Sequence, residues 1–159
     1  MWVPFEMFSI YTIGYGARSI EVLIDTLNAN EITYLIDIRS APYSRYKPEF
    51  SKKALAAELQ RHNIRYVFMG AQLGGRPDDP DCFVDGKVDY ARLKTKPFYQ
   101  EGLSRLRRAA EQPSPVAIMC SEGKPETCHR SKLIGASLAE MGIPVLHIDE
   151  NDELQSQEA

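Results

Sequence analysis

The sequence lacks several features that would settle its class at once. It holds three cysteines in 159 residues, an odd number that fits a reducing compartment better than a disulfide framework. No apolar run approaches the roughly 20 residues of a membrane span, so no membrane partner is expected. The opening Met1-Trp2-Val3-Pro4-Phe5-Glu6-Met7-Phe8 has neither the basic segment nor the cleavage site of a secretory signal, which makes a cytoplasmic location the expectation. There is no internal repeat. No GxGxxG follows the first strand, and no Lys-Ser or Lys-Thr closes a glycine loop, so the dinucleotide and phosphate-loop signatures are missing. A CxxC knuckle is missing as well: seven residues separate Cys120 from Cys128. A metal at Cys120, Cys128 and His129 is therefore disfavoured. No cofactor is expected.

Strong positive charge is absent too. The formal net charge is −3, but residues 149–159 carry Asp149, Glu150, Asp152, Glu153 and Glu158 and no base, and without them the rest stands at +2. That is far from the footprint of an obvious nucleic-acid binder. Residues 149–159 read as an acidic, disordered tail and residues 1–7 as an N-terminal extension. Residues 8–148 are long enough for a single domain with a substantial core.

What is present alternates between strand and helix patterns. Phe8 to Ile13, Thr33 to Ile38, Ile64 to Met69, Pro115 to Met119 and Ile143 to Ile148 read as short buried strands. Helical spacing appears at Ile20, Leu23, Ile24 and Leu27 behind a Ser19 cap, at Leu55 and Leu59 after Ser51, and at Tyr99, Leu103, Leu106 and Ala110. Residues 70 to about 87 read as a flexible loop. The alternation predicts a three-layer α/β fold, with a mostly parallel sheet of about five strands and helices on both faces. The carboxyl ends of parallel strands share one rim. That rim should gather Gly14, Tyr15, Arg39, the Gly74-Gly75-Arg76 loop, Cys120, Glu122 and His147.

The chemistry is densest in Cys120-Ser121-Glu122-Gly123-Lys124-Pro125-Glu126-Thr127-Cys128-His129-Arg130. Cys120 ends a strand, and a helix starts near Thr127. Ile134, Ser137, Leu138 and Met141 form that helix's buried stripe, with Arg130 about 40° from Ile134 at helical spacing. A cation so placed either pairs with Asp37 or Glu122 or points into a pocket to bind an anion. Cys120, facing a helix start and Arg130, is a candidate nucleophile with a lowered pKa. Glu122, Cys128 and His129 are candidate acid, base or pocket-shaping groups.

A second dense stretch runs from Arg39 to Lys53, with five cations, one acid, and Tyr43, Tyr46 and Phe50 between them. Cations hold phosphate and rings stack on bases, so Arg39, Tyr43, Arg45 and Lys47 suit a nucleotide or a single strand. Gly74, Gly75 and Arg76 would let backbone approach an anion.

These motifs carry a resemblance. Thr12-Ile13-Gly14-Tyr15, Leu35-Ile36-Asp37-Ile38-Arg39 with Pro42, Ser44 and Arg45, Leu73-Gly74-Gly75-Arg76, Cys120-Ser121-Glu122 with Cys128-His129-Arg130, and Val145-Leu146-His147-Ile148 resemble the bacterial family known as domain of unknown function 488. The likeness runs from Phe8 to Ile148 and implies a cytoplasmic α/β protein, without implying an activity. Tyr15-Gly16 stands where that family often has His-Ser. A fainter likeness to rhodaneses rests on the Asp37 strand and on a strand-end cysteine followed by Arg-Ser. Nine residues stand between Cys120 and Arg130-Ser131, against the tight loop of a rhodanese.

The leading expectation is an enzyme, hydrolase or transferase, acting on a phosphate-bearing small molecule or nucleic acid. Arg39, Tyr43, Arg45, Lys47, Gly74, Gly75, Arg76, Arg130 and His147 would bind, while Cys120, Glu122, Cys128 and His129 would do the chemistry. The alternatives are a non-catalytic anion or nucleic-acid binding module, and a rhodanese-like sulfurtransferase using Cys120.

Overall fold

Apolar β-branched runs become the sheet, and amphipathic stretches close over it. In the computed structural model, which describes residues 7–157, the main strands are β1 (Ile10–Gly14), β2 (Tyr34–Asp37), β3 (Arg65–Phe68), β6 (Val116–Cys120), β7 (Val145–Ile148) and β8 (Leu154–Ser156). They lie in the order β3-β2-β6-β1-β7-β8. The first five are mutually parallel and β8 pairs antiparallel with β7. The helices are α1 (Ile20–Ala29), α2 (Lys52–Arg61), α3 (Gly70–Leu73), α4 (Tyr90–Leu93), α5 (Pro97–Ala110) and α6 (Ala136–Glu140). Ser19 caps α1 as its sequence suggests, its hydroxyl accepting from the Val22 amide at 3.1 Å.

Two cores flank the sheet because successive strand residues point to opposite faces. Ile13, Leu35, Ala117, Met119 and Ile148 pack under α1 and α2 with Leu23, Leu27, Leu55 and Leu59. Ile36, Ile118, Cys120 and Val145 face the other way, against Tyr99, Leu103 and Leu106 of α5 and Leu133, Ile134 and Leu138. Both faces of the parallel strands are thus covered, as parallel sheets require. The three-layer α/β expectation holds.

Three expectations are corrected. The sheet has six strands because the acidic tail is not disordered throughout: Asp149 organises a turn, accepting from the Asn151 and Glu153 amides at 2.8 and 3.0 Å, and returns the chain as β8. Burial pushes the Asp149 pKa up, but hydrogen bonds from Gln155 and those amides, with Arg18 nearby, hold it below the usual carboxylate range. Residues 70–88 are structured, with α3 and a hairpin of β4 (Phe83–Val84) and β5 (Lys87–Val88). The helix after Cys120 starts later than Thr127: a single 3-10 turn (Pro125–Thr127) precedes a π-helical turn (Arg130–Gly135) that runs into α6. The N-terminal extension, Met7 apart, and Glu158 lie outside the described residues.

Candidate functional site

β1 crosses to β2 through α1 on one face, while β6 crosses to β7 through α6 on the other. The neighbouring strands β1 and β6 therefore send their chains in opposite directions, and a crevice opens beyond their carboxyl ends. Pairing continues past the strands: the Tyr15 amide donates to the Cys120 carbonyl at 3.1 Å and the Gly16 amide to Ser121 at 2.9 Å. Gly14 is obligatory here. A Cβ at that position would collide with the Glu122 carbonyl and the Arg130 guanidinium.

The crevice is a cavity of about 430 Å³ whose wall includes Arg39, Tyr43, Gly75, Arg76, Cys120, Glu122, Cys128 and His129. Eight of the residues singled out in the sequence thus share one mouth. The open size suits a nucleotide-sized ligand.

One wall comes from β2. Asp37, fully buried, accepts from Arg39 Nε at 2.9 Å and Nη2 at 2.8 Å, and from the Tyr66 hydroxyl at 2.5 Å. Burial, seconded by that carboxylate, drives the Tyr66 pKa upward and keeps it a donor. Arg39 is 7% exposed, and its remaining amine, Nη1, has no hydrogen-bond partner among the described residues. Burial lowers the Arg39 pKa, but the bond to Asp37 more than restores it, so the cation is permanent. An unsatisfied buried N–H on a cation beside a cavity wants an acceptor.

The other wall comes from β6 and the turn after it. Cys120 and Cys128 bring their sulfurs to 2.7 Å. His129 Nε2 lies 3.1 Å from the Leu73 carbonyl, which accepts only, so Nε2 donates there, and Nδ1 faces Cys128 Sγ at 3.7 Å. The hydrogen bond between the two sulfurs lowers the Cys128 pKa strongly; burial opposes it, and His129 and the Arg130 amide help. Burial raises the Cys120 pKa well above the usual thiol range, with Cys128 adding to it and Arg130 opposing. Of the two sulfurs, Cys128 is the one whose pKa falls, and the expectation of a lowered pKa at Cys120 is corrected: burial dominates at Cys120, while Cys128 also accepts from the Arg130 amide at 3.5 Å.

Arg130 also departs from expectation. It is 0% exposed and does not enter the wall; its guanidinium donates to the Glu122 carbonyl at 2.8 Å, the Gly123 carbonyl at 3.0 Å and Cys120 Sγ at 3.3 Å. It neither pairs with Asp37 nor reaches an anion in the cavity. It ties down the 121–124 loop, and the Glu122 carboxylate instead accepts from the Lys124 amide at 3.2 Å, exposed at the mouth.

The remaining candidates divide. His147 is placed away from the cavity, between Thr12 Oγ1 at 2.6 Å and Gln157 Oε1 at 2.5 Å. Burial lowers its pKa, so the ring is neutral at pH 7. Lys47 donates to the Gly16 and Arg18 carbonyls at 3.0 and 2.8 Å, pinning its loop to the turn after β1. Arg45 is exposed beyond the wall, and Gly74 packs under Ser40. Gly75 and Arg76 stay in the wall, with a Cβ at Gly75 falling 3.1 Å from the His129 ring. Among the described residues, no group of three or more His, Cys, Asp or Glu side chains is placed to hold a metal.

Five residues not among the sequence candidates also line the cavity: Ser40, Ala41, Tyr90, Ser121 and Thr127. Tyr90 had a signal. Asp89 caps α4 with bonds to the Ala91 and Arg92 amides at 2.9 and 3.3 Å, an Asx start that fixes the tyrosine beside Cys128.

The family model described as "Domain of unknown function DUF488" matches residues 19–136. The chain belongs to the domain of unknown function 488 family. That span includes the Asp37-Arg39 wall, the Gly75-Arg76 turn and the cysteine wall, whereas Gly14 at the end of β1 and His147 in β7 lie outside it. No match was found among curated proteins, and none among solved structures. No described helix is long and apolar enough to cross a membrane.

Proposed function

We propose that this chain is an enzyme of the hydrolase or transferase class that binds a phosphate-bearing molecule, a nucleotide or nucleic acid, in the rim cavity. One observation carries the reading: the buried, unpaired Nη1 of Arg39 beside a cavity that Arg76 also lines. A phosphate oxygen is the acceptor that such a cation matches best. Tyr43, 76% exposed at the cavity edge, supplies a ring on which a base can stack. Cys128 is the sulfur equipped to attack, and Glu122 at the mouth is the group placed to pass a proton.

A second reading, a non-catalytic module holding single-stranded nucleic acid, is favoured by Tyr46, which is 92% exposed three residues after the wall-lining Tyr43, on a loop that also presents Arg45. The two readings separate on Cys128→Ser and Glu122→Gln, which would abolish turnover in an enzyme and spare binding in a module.

The test is a titration of nucleotides and short oligonucleotides at low salt against native protein, Arg39→Lys and Arg76→Ala. Arg39→Lys keeps a cation for Asp37 but loses the spare amine, and binding at least ~10-fold weaker is expected. Undetectable binding by native protein, or equal binding by all three, would remove the proposal.

A further inference from the structure

Arg130 poses a problem of charge. It is fully buried, its guanidinium reaches two carbonyls and a sulfur, its Nε has no partner, and no carboxylate in the described residues bridges it. A buried cation without a counter-charge is expensive. The ionisable acids against it are the two thiols, whose sulfurs lie 2.7 Å apart, one of them 3.3 Å from Nη1. A dithiol holding one proton between its sulfurs supplies the missing charge. Cys128 also lines the open cavity, where a small molecule meets it, with Arg39 and Arg76 in the same wall.

From this juxtaposition we infer that Cys120 and Cys128 form a redox-active dithiol that exchanges with low-molecular-weight, carboxylate-bearing disulfides. Cys128 attacks one sulfur of the disulfide, forming a mixed disulfide and expelling the other half as thiolate. Cys120 then attacks the Cys128 sulfur, the second half leaves with the proton that the pair had shared, and a Cys120–Cys128 disulfide remains. The protein loses two electrons and one proton, and the incoming disulfide is reduced to one thiol and one thiolate. Oxidation removes both the counter-charge of Arg130 and the sulfur at the cavity wall, which also couples the 121–124 loop to redox state. The inference stands on the dithiol and Arg130 and does not require a phosphate ligand, so it survives if nucleotides fail to bind.

The experiment uses glutathione disulfide as the probe on the full chain at pH 7, followed by alkylation and peptide mass mapping. Native protein is expected to lose the mass of two hydrogens, with the bridge mapped to Cys120 and Cys128 and Cys82 alkylated as a free thiol. Cys120→Ser is expected to stop at a glutathione adduct on Cys128, and Cys128→Ser to form neither bridge nor adduct at Cys120 at a comparable rate. At pH 6.5, modification of Cys128 in Cys120→Ser should outrun that of Cys82 by at least ~10-fold. A native protein whose Cys120 and Cys128 remain free while a control dithiol is oxidised would overturn the inference. So would a first adduct on Cys82 or Cys120. The native mapping decides the matter even if a serine variant does not fold.

Discussion

Arg39, just past β2, and Arg130, at the start of the π-helical turn, are both buried cations on one rim, and they are neutralised by different means. Arg39 has a carboxylate: Asp37 takes two of its N–H groups and leaves Nη1 unpaired beside the cavity. Arg130 has none, and leans on loop carbonyls and the Cys120 sulfur. The β2 wall is thus a finished ion pair with one donor to spare, suited to recognising an anion from outside. Behind the β6 wall stands a cation completed by an anion of its own, the dithiol. Residue type alone does not separate the two roles; what each guanidinium is already bonded to does.

The sharpest way to break the comparison is to remove Arg130. Arg130→Met should cost about 3–5 kcal/mol of unfolding free energy, because two charge-assisted bonds holding the 121–124 loop and one to the Cys120 sulfur go with it. Urea denaturation measures this; a loss under about 1 kcal/mol would mean that the loop is held otherwise. Asp37→Asn comes next. It strips Arg39 of its counter-charge and Tyr66 of its acceptor, and should cost about 2–4 kcal/mol in the same assay. A smaller loss would show Arg39 to be solvated despite its burial.

Acid should separate the neutral part of the rim from the charged part. His147 is buried neutral, with its pKa below the ordinary 6.5. The unfolded chain therefore takes up that proton first, so this contribution to stability is intact above pH 6.5 and drains away as pH falls below it. Denaturation midpoints at pH 7.5 and 5.5 should differ less in His147→Gln than in native protein. An unchanged difference would assign the acid sensitivity elsewhere. The smallest effect belongs to Gly75→Ala, whose Cβ would press on the His129 ring at 3.1 Å. It should cost about 1 kcal/mol or less while altering the pH profile of Cys128 alkylation, since His129 is the ring facing that sulfur. An unaltered profile would remove His129 from the account of Cys128.

Much of the frame was legible. Alternating apolar runs gave the parallel sheet, and the strand ends gave a common rim, on which Gly14 packs against Glu122 and Arg130. What the sequence hid was orientation. Helical spacing put Arg130 on the buried face of its helix but could not say whether it met a ligand or a loop, and the π-helical turn at Arg130–Gly135 shifts the angles on which spacing arguments rest. Cys128 and His129, being adjacent, were expected to diverge, yet a thiol and a ring reach far enough to meet at 3.7 Å. The acidic tail looked disordered by composition; Asp149 turns it back because its carboxylate collects amides that only a folded turn presents together.

Both walls face one cavity in this account, so occupancy of one should be felt at the other. The direct measurement is the rate of Cys128 alkylation by iodoacetamide with increasing nucleotide, in native protein and in Arg39→Lys. A saturable fall in rate for native protein, weakened at least ~10-fold in apparent affinity by Arg39→Lys, is the predicted result. A rate unchanged at saturating nucleotide would contradict it.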